Sequence, residues 1–328
     1  MIKLDRKDWK LLAELDVDSR QTYQSLAKKV GLSKDAVVYR IVRLQKEGVI
    51  QQFHTVIDVG KIGYISFRLY IALLNGTPEK EIEILKYFKQ KKEVAWLVSI
   101  DGEYSIGMWI LVKDIAEMNS LWKEFLEKYH NYVEKRSLSI FTKVSYFPRS
   151  YLLGKEKTDA EYIFITEPTM GGSDDVPDAV DEKDIAILQL LTSDARKSVV
   201  DISQKTGMTP KTVAVRIKNM EKKNVIVGYR TLFDLEKIGY QYFKLHINLQ
   251  NAERKDIQRF RTYVKQHPNI IYDNEVLGGD DLEIEIQVKN LEHFRGIISE
   301  IKKQFAPIMR NYKHMTFYKE HKSVFLPL

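Results

Sequence analysis

A chain of 328 residues exceeds one ordinary compact domain, and 44% hydrophobic with 30% charged residues excludes a collagenous or largely disordered protein. No apolar run approaches the roughly 18 residues a membrane span needs. The opening Met1-Ile2-Lys3-Leu4-Asp5-Arg6-Lys7-Asp8 is too charged for a signal peptide, so a cytoplasmic protein without membrane contact is expected. With no cysteine, and 7 histidines lacking HExxH or other tight spacing, neither metal nor cofactor is expected; the net charge of +7 suits nucleic acid without requiring it.

The N-terminal stretch predicts three short helices. Asp5 is an N-cap, and Leu11, Leu12 and Leu15 make an apolar stripe at helical spacing. A second helix near Thr22–Val30 ends at Gly31, where a left-handed residue is needed, and Ser33 caps a third that buries Val37, Ile41 and Leu44. Two helices joined by a three-residue turn, with another packed behind, form a helix-turn-helix, which offers the N-terminal half of its last helix to a DNA major groove.

Strand character follows. Residues 53–64 read as a connecting strand, able to pair with its equivalent in a partner. Ile65–Ile71 alternates with period two, a helix near Pro78–Gln90 starts with Pro78 at its first position, and strands near Val94–Ile100 and Tyr104–Val112 flank a tight turn at Asp101-Gly102-Glu103. A helix near Ile115–Tyr129 and a strand near Val133–Thr142 complete a βαββαβ, ferredoxin-like order. Such a sheet carries helices on one face, so its bare face is expected to meet a second sheet.

After residue 150 come Glu167-Pro168 and Gly171-Gly172-Ser173-Asp174-Asp175-Val176-Pro177-Asp178. This acidic Gly/Pro-containing stretch reads as a linker over 151–180, with Glu161–Ile165 as a short docking strand.

The whole unit then recurs without a gap, offset by 176 residues: Asp8 falls on Asp184, Arg20 on Arg196, Gly31 on Gly207, Arg40-Ile41 on Arg216-Ile217, Lys61-Ile62-Gly63-Tyr64 on Lys237-Ile238-Gly239-Tyr240, and Gly102 on Gly278. The fold class is therefore α+β, two copies of a winged helix-turn-helix followed by a ferredoxin-like domain. The expected boundaries are 1–52, 53–64 and 65–150 for the first copy and 181–228, 229–240 and 241–328 for the second.

The run Leu4-Asp5…Asp8…Leu12…Asp18…Arg20…Leu26-Ala27…Val30-Gly31-Leu32-Ser33…Val37…Arg40-Ile41…Leu44…Gly48-Val49-Ile50…Asp58…Gly63-Tyr64 resembles the Lrp/AsnC, or feast/famine, family of transcription regulators, and the second copy resembles it too. The resemblance implies double-stranded DNA as a partner, self-association through the ferredoxin-like effector domains (an internal pseudo-dimer, a homodimer or both), and an amino acid or related small molecule as effector. It also implies a Gly-x-x-Asp signature in the loop between the second and third sheet strands. Here that loop reads Gly102-Glu103-Tyr104-Ser105 in one copy and Gly278-Gly279-Asp280-Asp281 in the other, so Gly102, Tyr104, Ser105, Gly278, Asp280 and Asp281 are the candidate effector residues. The plain alternative is that they only make a strand-connecting turn.

The candidate DNA contacts are the outward positions of the two third helices. They are Ser33, Lys34, Asp35, Val38, Tyr39 and Arg43 in the first copy, and Thr209, Lys211, Thr212, Val215 and Lys218 in the second. Buried positions agree between copies while outward ones differ, which predicts unlike half-sites. Two rivals carry less weight. A metabolite-sensing oligomerisation module would bind DNA without reading bases. An enzyme resembling the sirohaem decarboxylases would need His and Arg aimed into a tetrapyrrole pocket, and Val94–Ile100, Tyr104–Val112 and Ile270–Leu277 contain neither. No catalysis is expected.

Overall fold

A computed structural model describes residues 2–74, 77–154, 161–165, 180–324 and 326; most of the expected linker, 155–160 and 166–179, lies outside them. The first copy runs α1 (Arg6–Val17), α2 (Tyr23–Val30), α3 (Lys34–Lys46), β1 (Ile50–Ile57), β2 (Ile65–Leu73), α4 (Pro78–Gln90), β3 (Val94–Asp101), β4 (Ile106–Val112), α5 (Ile115–Tyr129) and β5 (Val133–Tyr146), then a short β6 (Tyr162–Ile165). The second runs α6 (Glu182–Ser193), α7 (Val199–Thr206), α8 (Pro210–Lys222), β7 (Ile226–Phe233), β8 (Gln241–Leu249), α9 (Arg254–Gln266), β9 (Ile270–Leu277), β10 (Leu282–Val288), α10 (Leu291–Phe305) and β11 (Met309–Ser323). No described helix is long and apolar enough to cross a membrane.

Local chemistry sets the helical boundaries. Asp5 and Asp8 form a capping box at α1, as Asp181 and Asp184 do at α6. Gly31 (φ +73) closes α2 in the left-handed region before the Ser33 cap of α3. The counterpart turn runs Gly207-Met208-Thr209, with Pro210 at the first position of α8.

The connecting strands find their partners inside the chain: β1 and β7 pair antiparallel with each other. The register places His54 opposite Arg230, residues that are themselves equivalent under the 176-residue repeat, so a pseudo-twofold axis passes between them. Around that axis the bonds come in matched pairs. Thr55 Oγ1 donates to the Leu191 carbonyl and Thr231 Oγ1 to that of Leu15, each at 2.9 Å; Lys61 Nζ reaches the Lys223 carbonyl and Lys237 Nζ that of Glu47. Each three-helix unit thus packs on the other copy's strand.

The two four-stranded sheets do not merely stack face to face, as the bare-face argument predicts. They join edge to edge through β3–β11 and β5–β9, and the β2–β5 pairing closes the circuit β2-β4-β3-β11-β8-β10-β9-β5 into a barrel, with β6 added along β5. Stacking alone would leave sheet edges with unpaired N–H and C=O groups, whereas closure removes them. This also explains why β5 and β11 run past the expected ends at Thr142 and Tyr318: their extra residues pair with β9 and β3. β4 starts at Ile106 and not at Tyr104, because Ser105 turns back to bond both Ile100 and Ile71.

Phe67, Leu69 and Ile71 of β2 face α4 and α5, while Phe243, Leu245 and Ile247 of β8 face α9 and α10. The alternate residues of these strands point into the barrel, and several carry charge.

Candidate nucleic-acid interface and the barrel beneath it

The outer faces of α3 and α8 are the exposed parts of the two helix-turn-helix units. Tyr39 is 69% exposed and Val215 50%; Ser33, Lys34, Asp35, Thr209, Lys211, Thr212 and Lys218 are also exposed, and Val38 is half-buried. Ser33 and Thr209 spend their hydroxyls on capping, accepting from the backbone N–H of Ala36 and Thr212 at 3.2 Å each. Arg43 departs from the expectation of a free base or phosphate contact. Its Nη2 lies 2.6 Å from the fully buried Asp8, which also takes Arg40 at 2.7 Å. A buried carboxylate needs cations around it, so Arg43 folds back against α1. In the second copy Asn219 holds that place, and Asp184 keeps Arg216 alone of the two.

The two units are locked at the pseudo-axis by residues that the sequence marked only as repeats. Arg20 Nη1 donates to the carbonyls of Ala195 and Lys197, and Arg196 Nη1 to those of Ser19 and Gln21. They floor a cleft of about 450 Å³ lined also by Tyr23, Lys34 and Lys197. The identity of Arg20 and Arg196 across divergent copies was the available signal.

A buried clamp fixes this assembly to the barrel. Asp16 of α1 accepts from Tyr146 Oη (2.6 Å), the backbone N–H of Arg149 (2.7 Å) and Arg149 Nη1. Arg149 Nε donates to Gln287 of β10 at 2.8 Å. His54, in the β1–β7 ribbon, is held well below the usual imidazole range by burial, with Arg230 and Arg149 adding to the effect.

The six candidate effector residues lie at the barrel mouth remote from the ribbon, and Lys313 spans the two loops, 3.4 Å from Glu103 and 3.7 Å from Asp280. The serine-for-aspartate difference is less than its charge suggests. Ser105 Oγ accepts from the Leu73 N–H and Asp281 Oδ2 from the Leu249 N–H, the same strand-end duty in each copy. Asp280 bonds His246 Nδ1 (2.6 Å) and Asn248 (2.7 Å), and the His246 hydrogen bond leads in lowering its carboxyl to about 2. Its counterpart Tyr104 stacks on Tyr70, which in turn meets His246 edge-on. Gly102 (φ +143) passes close to β11, where a Cβ would meet the His314 carbonyl at 3.2 Å, and Gly278 (φ +79) turns beside Leu138.

The lumen was not legible as a site. Leu282-Glu283-Ile284-Glu285-Ile286-Gln287 alternates as a half-exposed strand would, yet Glu283, Glu285 and Gln287 are buried. Lys244, with no exposed surface, lies 2.9 Å from Glu283 and 3.3 Å from Glu285. Arg68 Nη2 reaches Glu285 at 3.4 Å, and Tyr242 Oη and Asn274 bond the same carboxylate. Arg68 and His246 also correct the absence of lumenal Arg and His expected from the other strands.

The architecture defines a protein of the helix-turn-helix class, and comparison narrows it. Residues 4–45 match the AsnC-type helix-turn-helix domain and residues 180–227 the winged helix-turn-helix DNA-binding family. The chain is 30% identical over 135 residues to an uncharacterised HTH-type transcriptional regulator of Pyrococcus horikoshii, covering 40% of this chain and 88% of that one. It is 31% identical over 120 residues to the transcriptional regulator AzlB of Bacillus subtilis, covering 36% and 76%. The sirohaem decarboxylase NirDL shares the fold across 97% of this chain and 93% of its own, with a TM-score of 0.61 at 12% identity. The chain belongs to the Lrp/AsnC family of DNA-binding transcription regulators.

Proposed function

We propose that the protein is a sequence-specific transcriptional regulator whose two helix-turn-helix units read unlike half-sites, and whose DNA affinity responds to a small metabolite. The carrying observation is the contrast between a shared frame and divergent reading faces. Arg20/Arg196 and the β1–β7 ribbon hold α3 and α8 in a fixed mutual setting. Their exposed faces nevertheless present Tyr39 and Val42 in one copy against Val215 and Lys218 in the other. Tyrosine and valine offer a base edge different chemistry, so two half-sites of one sequence would not suit both. Lys34, Lys211 and Lys218 supply phosphate contacts, with Asp35, Val38 and Thr212 beside them on the reading faces.

Selection from random duplexes tests the reading. Enrichment of a non-palindromic site, bound in preference to a scrambled duplex at two salt concentrations, is the expected result. A symmetric palindrome refutes the unlike half-sites, and equal, salt-sensitive binding to all duplexes refutes base readout.

A further inference from the structure

The end of the barrel nearest the helix-turn-helix pair is hollow. A cavity of about 110 Å³ lies there, to which all eight barrel strands contribute: Arg68, Trp96, Phe141 and Tyr272 are among its walls. Leu232 of the β1–β7 ribbon and Arg149 of the Asp16 clamp complete it, and Glu320 stands at its exposed rim.

Arg68 is the telling residue. It is 7% exposed, and its guanidinium lies over Trp96 (4.8 Å) and Phe141 (5.0 Å). Its Nη2 faces Glu285, but Nε and Nη1 are buried with no hydrogen-bond partner among the described residues. Glu285 has little left to offer, since Lys244, Asn274 and Tyr242 already draw on it. Unmet donors on a buried cation are costly, and they persist where something else completes them. The surroundings lean the same way. Arg149 spends its charge on Asp16, and the buried Arg230 bonds the Tyr272 hydroxyl and makes no ion pair among the described residues. Within the cavity Arg68 is thus the cation with unmet donors, beside aromatic walls.

We infer that this cavity binds a small organic monocarboxylate, its carboxylate accepting from the unpartnered Nη1 of Arg68 and its apolar part held between Trp96, Phe141 and Tyr272. Nε and Nη1 lie on different edges of the guanidinium, so the carboxylate takes one charge-assisted hydrogen bond there and not a two-pronged one. The space equals that of about four waters, which fits a short-chain acid and excludes a tetrapyrrole. The ligand would touch Leu232, on the strand shared by the two helix-turn-helix units, and Arg149, which holds α1 to the barrel. Its presence would therefore bias the setting of the reading helices. This rests on the proposed metabolite response, and moves its seat from the loops at 102–105 and 278–281 to the opposite end of the barrel.

Propionate is the probe, with propionamide as its neutral isostere and chloride at matched ionic strength as control. Calorimetry on the full chain, with tryptophan emission from Trp96 and Trp109 as a second readout, is expected to show saturable propionate binding and at least tenfold weaker propionamide binding. R68M/E285Q removes the cation together with its buried counter-charge, keeping the lumen neutral, and is expected to raise Kd at least tenfold. L232W fills the cavity from the ribbon side without altering Arg68, and is expected to abolish binding. Equal binding of amide and acid, undiminished binding to both folded variants, or no propionate binding up to about 20 mM overturns the site. Propionate bound with DNA affinity changed less than about twofold overturns the coupling. In each of these cases retained preference for the selected duplex leaves the regulator reading intact, whereas loss of that preference in the unliganded protein sinks the regulator reading alone.

Discussion

Replacing Asp16 by alanine removes the one carboxylate of the clamp between α1 and the barrel. Three donors lose Asp16 as acceptor, the Tyr146 hydroxyl, the backbone N–H of Arg149 and Arg149 Nη1, the last keeping only the Tyr146 oxygen at 3.3 Å. Asp16 is 1% exposed and the Arg149 side chain 6%, so water does not take over, and Arg149 is left as a second buried cation beside Arg230. Deleting one partner of such a pair costs about 3–5 kcal/mol. Arg149→Met is milder, about 2–3 kcal/mol, because Asp16 keeps the Tyr146 hydroxyl and the backbone N–H at 149, each a bond to a charged group. Joint replacement removes the stranded charge, so D16A/R149M should lose at least about 1.5 kcal/mol less than the sum of the single losses. Urea titration followed by circular dichroism measures all three, with unchanged m-values showing that one unfolding transition is compared. A D16A loss below about 1 kcal/mol, or strict additivity, would mean that the clamp is solvated and does not anchor the reading head.

Three further outcomes are expected. Arg20→Ala, which frees the Ala195 and Lys197 carbonyls, should destabilise the helix-turn-helix pair by about 1–2 kcal/mol and weaken DNA binding severalfold with the salt slope unchanged; unaltered affinity for the selected duplex would dissociate the interlock from the spacing of the reading helices. Lys211→Ala should reduce the slope of log affinity against log salt by about 1 across all duplexes, and a loss confined to one sequence would reassign Lys211 to base readout. His54 contributes a pH dependence of stability. Its folded pKa lies well below its unfolded value near 6.5, so in that window the unfolded chain binds the extra proton, and stability present above pH 7 falls as pH drops, by up to about 1.4 kcal/mol per pH unit. Asp273 opposes this: burial raises it to about 6, so its contribution grows as pH falls from 6 towards 4. The difference between wild type and His54→Gln in thermal midpoint from pH 7.5 to 5.5 isolates the histidine, and a flat difference contradicts its burial as a neutral group.

The helix-turn-helix units were legible because their signals are local: caps at Asp5 and Ser33, the left-handed Gly31, and stripes at helical spacing. The βαββαβ order was equally plain from alternation and turns. Barrel closure was not, since pairing Phe141 with Val276 or Ile100 with Phe317 joins residues far apart in the chain, and nothing in either strand names its partner. Binary patterning likewise carries no signal of the lumen at Glu283 and Glu285, where alternation that ordinarily marks one wet face here marks a charged interior. The pairing of Arg43 with Asp8 was hidden for a related reason: helical position fixes which way a long side chain starts, and its partner decides where it ends.

The lumenal charges also bear on which halves pair. Under the repeat, Arg68 corresponds to Lys244, but Glu283 and Glu285 correspond to Gly107 and Trp109. A barrel made from two first copies would enclose two arginines with no acid from those positions. One made from two second copies would enclose two lysines against four glutamates. Either would trap unbalanced charge away from water, whereas the mixed barrel sets Arg68 and Lys244 against Glu283 and Glu285. Each half is thus the electrostatic complement of the other, so lumenal charge favours the mixed pair over either symmetric one.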